Sequence, residues 1–295
     1  MAVLGFNRYG KAEVRVVRVS RGVGTDGADE LRDWNVSTSL SGDLSAVHLN
    51  GDNSRVLTTD TQKNTAYAFA KTVGGVEPEV YALALAEHFV RTQEAITRAR
   101  VSVEEYGWNQ IGPGPHSFVR SGQQTRTTTV VYDQVVGTSV VSGIADLIVM
   151  NTTNSEFWGF PKDQYTTLAE TKDRILATQV TAQWRFRSSD QGFSKLDFAT
   201  VYRLATQTLL TTFADTYSYS LQQMLYVIGE RILAAVPQLC EVRLALPNKH
   251  HFLVDLEPFG LSNDNEVYLA SDRPYGLIEG QVLAEDAPAE GLAWL

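Results

Sequence analysis

The order of hydrophobic patterns constrains this chain most, because it runs through twice. In the first half, Lys11 to Val19 sets charge against Val14, Val16, Val17 and Val19 in a strand-like pattern. Gly22-Val23-Gly24-Thr25-Asp26-Gly27 matches G-x-G-x-x-G only formally. A dinucleotide fingerprint needs a helix next, whereas Leu31 to Thr38 has the pattern of a second strand, so the glycines read as a hairpin turn. Thr59-Asp60-Thr61 are helix-start residues ahead of Gln62 to Lys71. Pro78 suits the first turn of a second helix, which reaches about Val90. Val101 to Trp108 and Ser117 to Asp133 return to strand on either side of the rigid loop Gly112-Pro113-Gly114-Pro115.

The second half repeats this order. Thr138 to Met150 is β-rich, and Asn151 to Leu176 is irregular with a short helix expected at its end. Gln179 to Arg187 puts Val180, Ala182, Trp184 and Phe186 on one face. Helical spacing joins Phe198, Val201, Tyr202, Ala205, Leu209 and Phe213, then Leu221, Met224, Leu225, Ile228 and Ile232. Strands over Val242 to Val254 and Glu266 to Ala270 close the half. Both halves thus read strand, strand, helix, helix, strand, strand, a repeat of topology and not of sequence. Helices grouped on one face of an antiparallel sheet make an α+β fold. The tail, Leu283 to Leu295, is expected to be loosely held.

Composition narrows the function classes. A chain of 295 residues suits two ordinary domains or one large one. Its net charge of −9 argues against a nucleic-acid partner, and any anion site must be built locally from a few cations and helix N-termini. No apolar run approaches the roughly 18 residues of a membrane helix, and the start, Met1 to Arg8, lacks the pattern of a signal peptide. The single Cys240 forbids an internal disulfide and lies in an apolar strand, so a reducing, cytoplasmic setting is expected. His48, His88, His116, His250 and His251 show no H-x-H or H-E-x-x-H spacing, and one cysteine cannot make a zinc site, so no protein metal site is expected. Neither a phosphate-binding P-loop nor a G-x-S-x-G nucleophile elbow occurs.

What remains is a set of polar residues with two readings each. In Leu246 to Asp255, alternation places Leu246, Asn248, His250, Phe252 and Val254 on one strand face. The plain reading of His250 is an imidazole satisfied by a backbone partner. The sharper one is a proton carrier near neutral pH beside an amide that holds a small polar molecule. Lys11 is either a solvated strand-start lysine or a buried base. Thr59 is a helix cap by the plain reading, Arg174 a surface ion-pair partner, Gln222 a solvated helix-start residue, and Phe157-Trp158-Gly159-Phe160 a piece of core. Composition and spacing stop at an α+β protein with scattered polar candidates.

The same residues carry a resemblance. Arg8-Tyr9-Gly10-Lys11, Thr59-Asp60-Thr61-Gln62-Lys63-Asn64, Thr153-Asn154-Ser155-Glu156-Phe157-Trp158-Gly159-Phe160, Tyr165-Thr166-Thr167-Leu168, Asp173-Arg174-Ile175-Leu176, Leu246-Pro247-Asn248-Lys249-His250 and Pro274-Tyr275-Gly276-Leu277-Ile278 occur in this order along nearly the whole chain. Jointly they resemble the urate oxidase (uricase) family. The resemblance implies two tandem tunnelling-fold (T-fold) domains, 1–136 and 137–295, each an antiparallel sheet with two helices on one face. It implies a homotetramer with active sites at subunit interfaces. It further implies oxidation of urate by O2 to 5-hydroxyisourate and hydrogen peroxide, with O2 as co-substrate and neither metal nor organic cofactor.

The family roles carry over residue by residue. Lys11, Thr59 and His250 would form the proton relay. Phe157 would stack on the purine, Arg174 would meet its anion with a forked pair of hydrogen bonds, and Gln222 would grip the opposite edge. Leu221 would add its backbone N–H, in a position where other members carry valine, while Leu168 and Ile278 would line the pocket. Thr59 and Asp60 would come from a neighbouring subunit, and Asn248 would hold O2 or the water replacing it. The chain lacks a C-terminal serine-lysine-leucine, which favours a cytoplasmic enzyme. His251 keeps no assigned role beyond solvent or interface packing. Two alternatives stand beside this: another T-fold purine or pterin enzyme, disfavoured by the missing cysteine and histidine cluster, and a non-catalytic purine-binding protein, disfavoured by Lys11, Thr59 and His250.

Overall fold

The computed structural model describes residues 2–187, 192–193 and 195–295. Among the described residues, the strands are β1 (Tyr9–Ser20), β2 (Glu30–Gly42), β3 (Ile96–Gln110), β4 (Phe118–Asp133), β5 (Gly137–Asn151), β6 (Leu176–Phe186), β7 (Leu239–Leu253) and β8 (Tyr268–Leu283), and each neighbours the next in sheet order. The helices are α1 (Ser45–Asn50), α2 (Thr59–Thr72), α3 (Pro78–Thr92), α4 (Phe198–Asp215) and α5 (Leu221–Ala235). The chain divides into two compact units, one of Met1–Gly143, Trp184–Thr200 and Pro288–Leu295, the other of Ile144–Gln183 and Val201–Ala287.

In the first unit, β1 to β4 pair antiparallel as hairpins. Alternation in β2 turns Trp34, Val36, Thr38 and Leu40 inward, all at most 5% exposed. The helices cover these side chains, α2 against β1 and α3 against β3 and β4. Trp34 meets Tyr81 of α3 at 4.6 Å between ring centroids, and the Tyr81 hydroxyl donates to the Ala66 carbonyl of α2 at 2.8 Å. The glycines between β1 and β2 form a turn with a short 3-10 segment over Thr25–Gly27, as the sequence led one to expect.

One irregularity falls at a candidate site residue. The β1–β2 register shifts between Lys11 and Val14, and Glu13 adopts a left-handed backbone with φ 57°. At this bulge, side-chain hydroxyls of β2 take the place of ladder carbonyls. Lys11 N–H donates to Thr38 Oγ1 at 3.3 Å and Glu13 N–H to Ser37 Oγ at 3.0 Å. Gly10, just before, is tightly constrained, because a Cβ there would lie 1.8 Å from the Thr38 carbonyl oxygen. The run Gly143-Ile144-Ala145-Asp146 in β5 echoes Gly10-Lys11-Ala12-Glu13, and Asp146 is again left-handed, φ 60°. Ile144, which stands where Lys11 does, is 1% exposed.

In the second unit, β7 and β8 pair antiparallel and α5 packs on both. Gly229 permits that approach, since a Cβ there would come within 2.5 Å of Val282. The β7–β8 register breaks after Asn248. Asn248 faces Gly276, whereas His250 faces Ser271.

The structure corrects four expectations. Residues 152–175 contain no helix and are held by isolated bridges, Ser155 with Ser218 and Phe157 with Thr171. The last strand is Tyr268–Leu283, far longer than Glu266 to Ala270, because the polar run Ser271-Asp272-Arg273-Pro274 conceals its middle. β7 ends at Leu253, leaving Val254 outside it. The tail is not loose. The Arg185 guanidinium donates to the carbonyls of Pro288 and Ala289 at 2.9 and 3.3 Å, Arg100 Nε to that of Leu295 at 2.6 Å, and Ala293 is 3% exposed.

Candidate active site

Within the second unit, Phe157, Leu168, Arg174, Asn248 and His250 line one cavity of about 570 Å3. The irregular segment 152–175 delivers the first three. Its position comes from backbone bonds: Phe157 exchanges N–H and carbonyl with Thr171 at 2.8 and 3.0 Å, and Arg174 N–H donates to the Ser155 carbonyl at 2.9 Å. Phe160 stacks behind Phe157 with centroids 5.1 Å apart and planes 17° from parallel. The Arg174 guanidinium carbon lies 5.3 Å from the Phe157 ring centre, within cation–π range. Arg174 Nε donates to Ser155 Oγ at 3.3 Å. Burial holds the Arg174 guanidinium below its usual pKa, so an anion that offers it compensating charge is welcome.

β7 supplies the opposite wall. His250 stacks with Phe252, centroids 5.8 Å apart, which places both on one strand face as alternation requires. Burial lowers the His250 pKa below the ordinary imidazole value, and the nearby charges of Arg174 and His251 push the same way. The neutral imidazole is therefore its resting form near pH 7, able to accept a proton. Ile278 lies opposite Leu246 on β8 and, with Asn248, flanks Gly276. A Cβ on Gly276 would sit 3.7 Å from Ile278 Cδ1 and 3.9 Å from Asn248 Cβ.

Leu221 and Gln222 are not among the cavity's lining residues; they open α5. The loop before them is tied to the Phe157 segment, with Ser218 N–H donating to the Asn154 carbonyl at 3.0 Å and Glu156 N–H to the Ser218 carbonyl at 2.8 Å. Ser220 caps α5 by accepting from Gln223 N–H at 3.1 Å. The N–H groups of Leu221 and Gln222 then stand in the first turn, where helices attract anions. The Leu221 side chain is buried in the core and Gln222 is exposed.

The remaining candidates belong to the first unit. Lys11 lies on the β1 bulge, and Thr59 and Asp60 open α2. The cap of α2 is Thr58, whose Oγ1 accepts from Thr61 N–H at 3.0 Å, so Thr59 is not the cap of the plain sequence reading. Asp60 takes a bond from Lys63 at 2.5 Å, the chief reason its pKa is lowered, and the charge of Lys11 adds to the effect. Lys11 and the α2 N-terminus are thus electrostatic neighbours.

Sequence reasoning left several cavity residues unassigned. Thr171, Asp173, Ile175, Asn265 and Tyr268 line it, as does His251, whose Nδ1 is 3.0 Å from the Lys249 carbonyl oxygen. The periodicity of β7 places His251 away from His250, yet both line the cavity. Among the described residues, no group of three or more His, Cys, Asp or Glu side chains could hold a metal ion, and no helix is long and apolar enough to cross a membrane.

Fold and cavity together define a T-fold α+β protein with an aromatic ring, a guanidinium, an amide and an imidazole lining one cavity. The uricase profile matches residues 7–131 and 140–279. The uricase of Arthrobacter globiformis is 44% identical over 294 residues, covering 99% of this chain and 93% of that one. That of Dictyostelium discoideum is 38% identical and covers 96% and 98%. The crystal structure of the Arthrobacter globiformis uricase superposes with a TM-score of 0.92 over 98% of this chain and 97% of that one. A Bacillus fastidious uricase superposes with a TM-score of 0.80 at 25% identity, over 99% of this chain and all of that one. The chain belongs to the uricase family.

Proposed function

We propose that this urate oxidase carries out its reaction at the Phe157–Arg174–Asn248–His250 cavity, completed by Lys11, Thr59 and Asp60 of a neighbouring subunit in a homotetramer. The observation that carries the assignment is one cavity lined by Phe157, Arg174, Asn248 and His250 in a chain of this family. Urate enters as an anion and lies on Phe157. Arg174 meets its charge with forked donors, and Gln222 and the Leu221 N–H take the opposite edge. Lys11, acting with Thr59 and His250, removes a further proton. The electron-rich dianion then passes two electrons, one at a time, to O2 held by Asn248 and Ile278. Water adds at the oxidised carbon, so urate, O2 and H2O become 5-hydroxyisourate and H2O2. Positioning, charge and proton removal are the protein's contribution, and no metal or organic cofactor takes part. The tandem domains are 1–136 and 137–295, and the enzyme works in the cytoplasm.

Chelator-treated protein mixed with urate should consume O2 and release peroxide in equal amounts, and nothing should happen under strict anaerobiosis. Turnover that returns only on adding a metal overturns cofactor independence. Lys11→Met should lower kcat by roughly 10²–10⁴-fold, the span of general-base catalysis, with KM for urate nearly unchanged. A raised KM at unchanged kcat would reassign Lys11 to binding.

A further inference from the structure

Gln62 is a buried amide that the scheme above does not use. It lies on α2 one turn beyond Thr59 and is fully buried. Its Oε1 accepts from Thr38 Oγ1 at 2.7 Å and its Nε2 reaches the Leu57 carbonyl at 3.4 Å. Thr38, 5% exposed, is the register partner of Lys11 and accepts the Lys11 N–H at 3.3 Å. One buried chain of hydrogen bonds therefore runs from the strand bulge that carries Lys11 to the first turn of the helix that carries Thr59.

Stability alone does not call for this chain. A core hydrogen bond adds little net stability, and an apolar pair of the same shape can do as well. What a directional bond adds is a fixed geometry. The bulge is also where that geometry is weakest, because the ladder loses its carbonyl partner at Lys11 and a hydroxyl substitutes for it.

We propose that Gln62 and Thr38 are positioning residues for the reaction, and that their bond locks the Lys11 bulge to the α2 N-terminus and so sets the separation of Lys11 and Thr59. This rests on the assignment of Lys11 and Thr59 to proton removal. The bond forms within one chain, so each subunit would carry its half of the proton machinery already aligned before a neighbour docks.

The test uses full-length enzyme and urate with Gln62→Leu, Thr38→Val and Thr38→Ser. A misplacement near 1 Å costs on the order of 10²-fold in rate. Gln62→Leu and Thr38→Val should each lower kcat at least roughly tenfold while KM stays within about twofold, and the pH dependence of kcat should shift. Thr38→Ser, which keeps the hydroxyl, should restore kcat. Adding Gln62→Leu to Lys11→Met should cost nothing further. Thermal melting identifies any variant that fails to fold, and Thr38→Val carries the test if Gln62→Leu does. A kcat and pH profile unchanged in either folded variant overturns the positioning role while leaving Lys11 in place. Equal losses from Gln62→Leu with and without Lys11 also overturn it, showing a general effect on the fold. Full turnover in Lys11→Met sinks the base assignment first and this one with it.

Discussion

At Arg174, charge and burial pull against each other. The guanidinium is partly desolvated beside Phe157, and its positive field reaches His250 across the cavity. Replacing Arg174 with Gln should have two effects. Charge-assisted hydrogen bonds contribute about 1.5–3 kcal/mol each, so KM for urate should rise at least roughly tenfold. The His250 pKa should also move up toward its ordinary value, which an NMR titration of the imidazole would read; no movement would mean that burial and His251 set it without Arg174. The sign of the linked stability follows. With a folded pKa below the unfolded one, the folded state binds fewer protons than the unfolded chain near pH 6. His250 therefore opposes folding as pH falls below about 6.5 and has no effect above it.

At the scale of elements, the start of α2 separates two neighbouring hydroxyls by task. Thr58 closes the helix, which leaves the hydroxyl of Thr59 outside the cap. Thr58→Ala should cost about 1 kcal/mol of stability, seen as a lowered melting temperature, while Thr59→Ala should instead depress kcat. From sequence, Thr58-Thr59-Asp60-Thr61 could be capped at either threonine, since both precede a helical pattern. Elements with strong periodicity were legible: α3 from its proline, β2 and β6 from alternation, and α5 from its apolar stripe. The segment 152–175 was legible as irregular but its path was not, because isolated bridges, Phe157 to Thr171 within it and Ser155 to the distant Ser218, fix it instead of a periodic ladder. β8 hid behind Arg273-Pro274, where a break in hydrophobic pattern coincides with a shift in register rather than with the end of the strand. Asn248 and His250 were legible as a pair because a strand spaces them by two. No local pattern linked them to Phe157 or Arg174, and only the family runs did.

At the scale of the molecule, the proposed site draws on two chains, so its parts can be inactivated separately. Lys11→Met should be nearly inactive at any urate concentration, and Arg174→Ala nearly inactive at urate well below its raised KM. Unfolded together and reassembled, they should regain activity, because about a quarter of the mixed sites would then combine an intact Lys11 with an intact Arg174. Activity measured against the mixing ratio checks this, and a mixture no better than its parts would place the whole site within one subunit. The acidic net charge fits such an arrangement, since the anion must be drawn by a few placed cations rather than by the overall field.

The echo between β1 and β5 bears on how many such sites an assembly can hold. Both strands carry a left-handed acidic residue after glycine, X, alanine, but X is lysine in the first and a core isoleucine in the second. The duplicated scaffold therefore carries the proposed base once, and with one Arg174 cavity to match, the proposed tetramer would turn over four molecules at a time and not eight. A titration with a tight inhibitor should saturate at one equivalent per polypeptide.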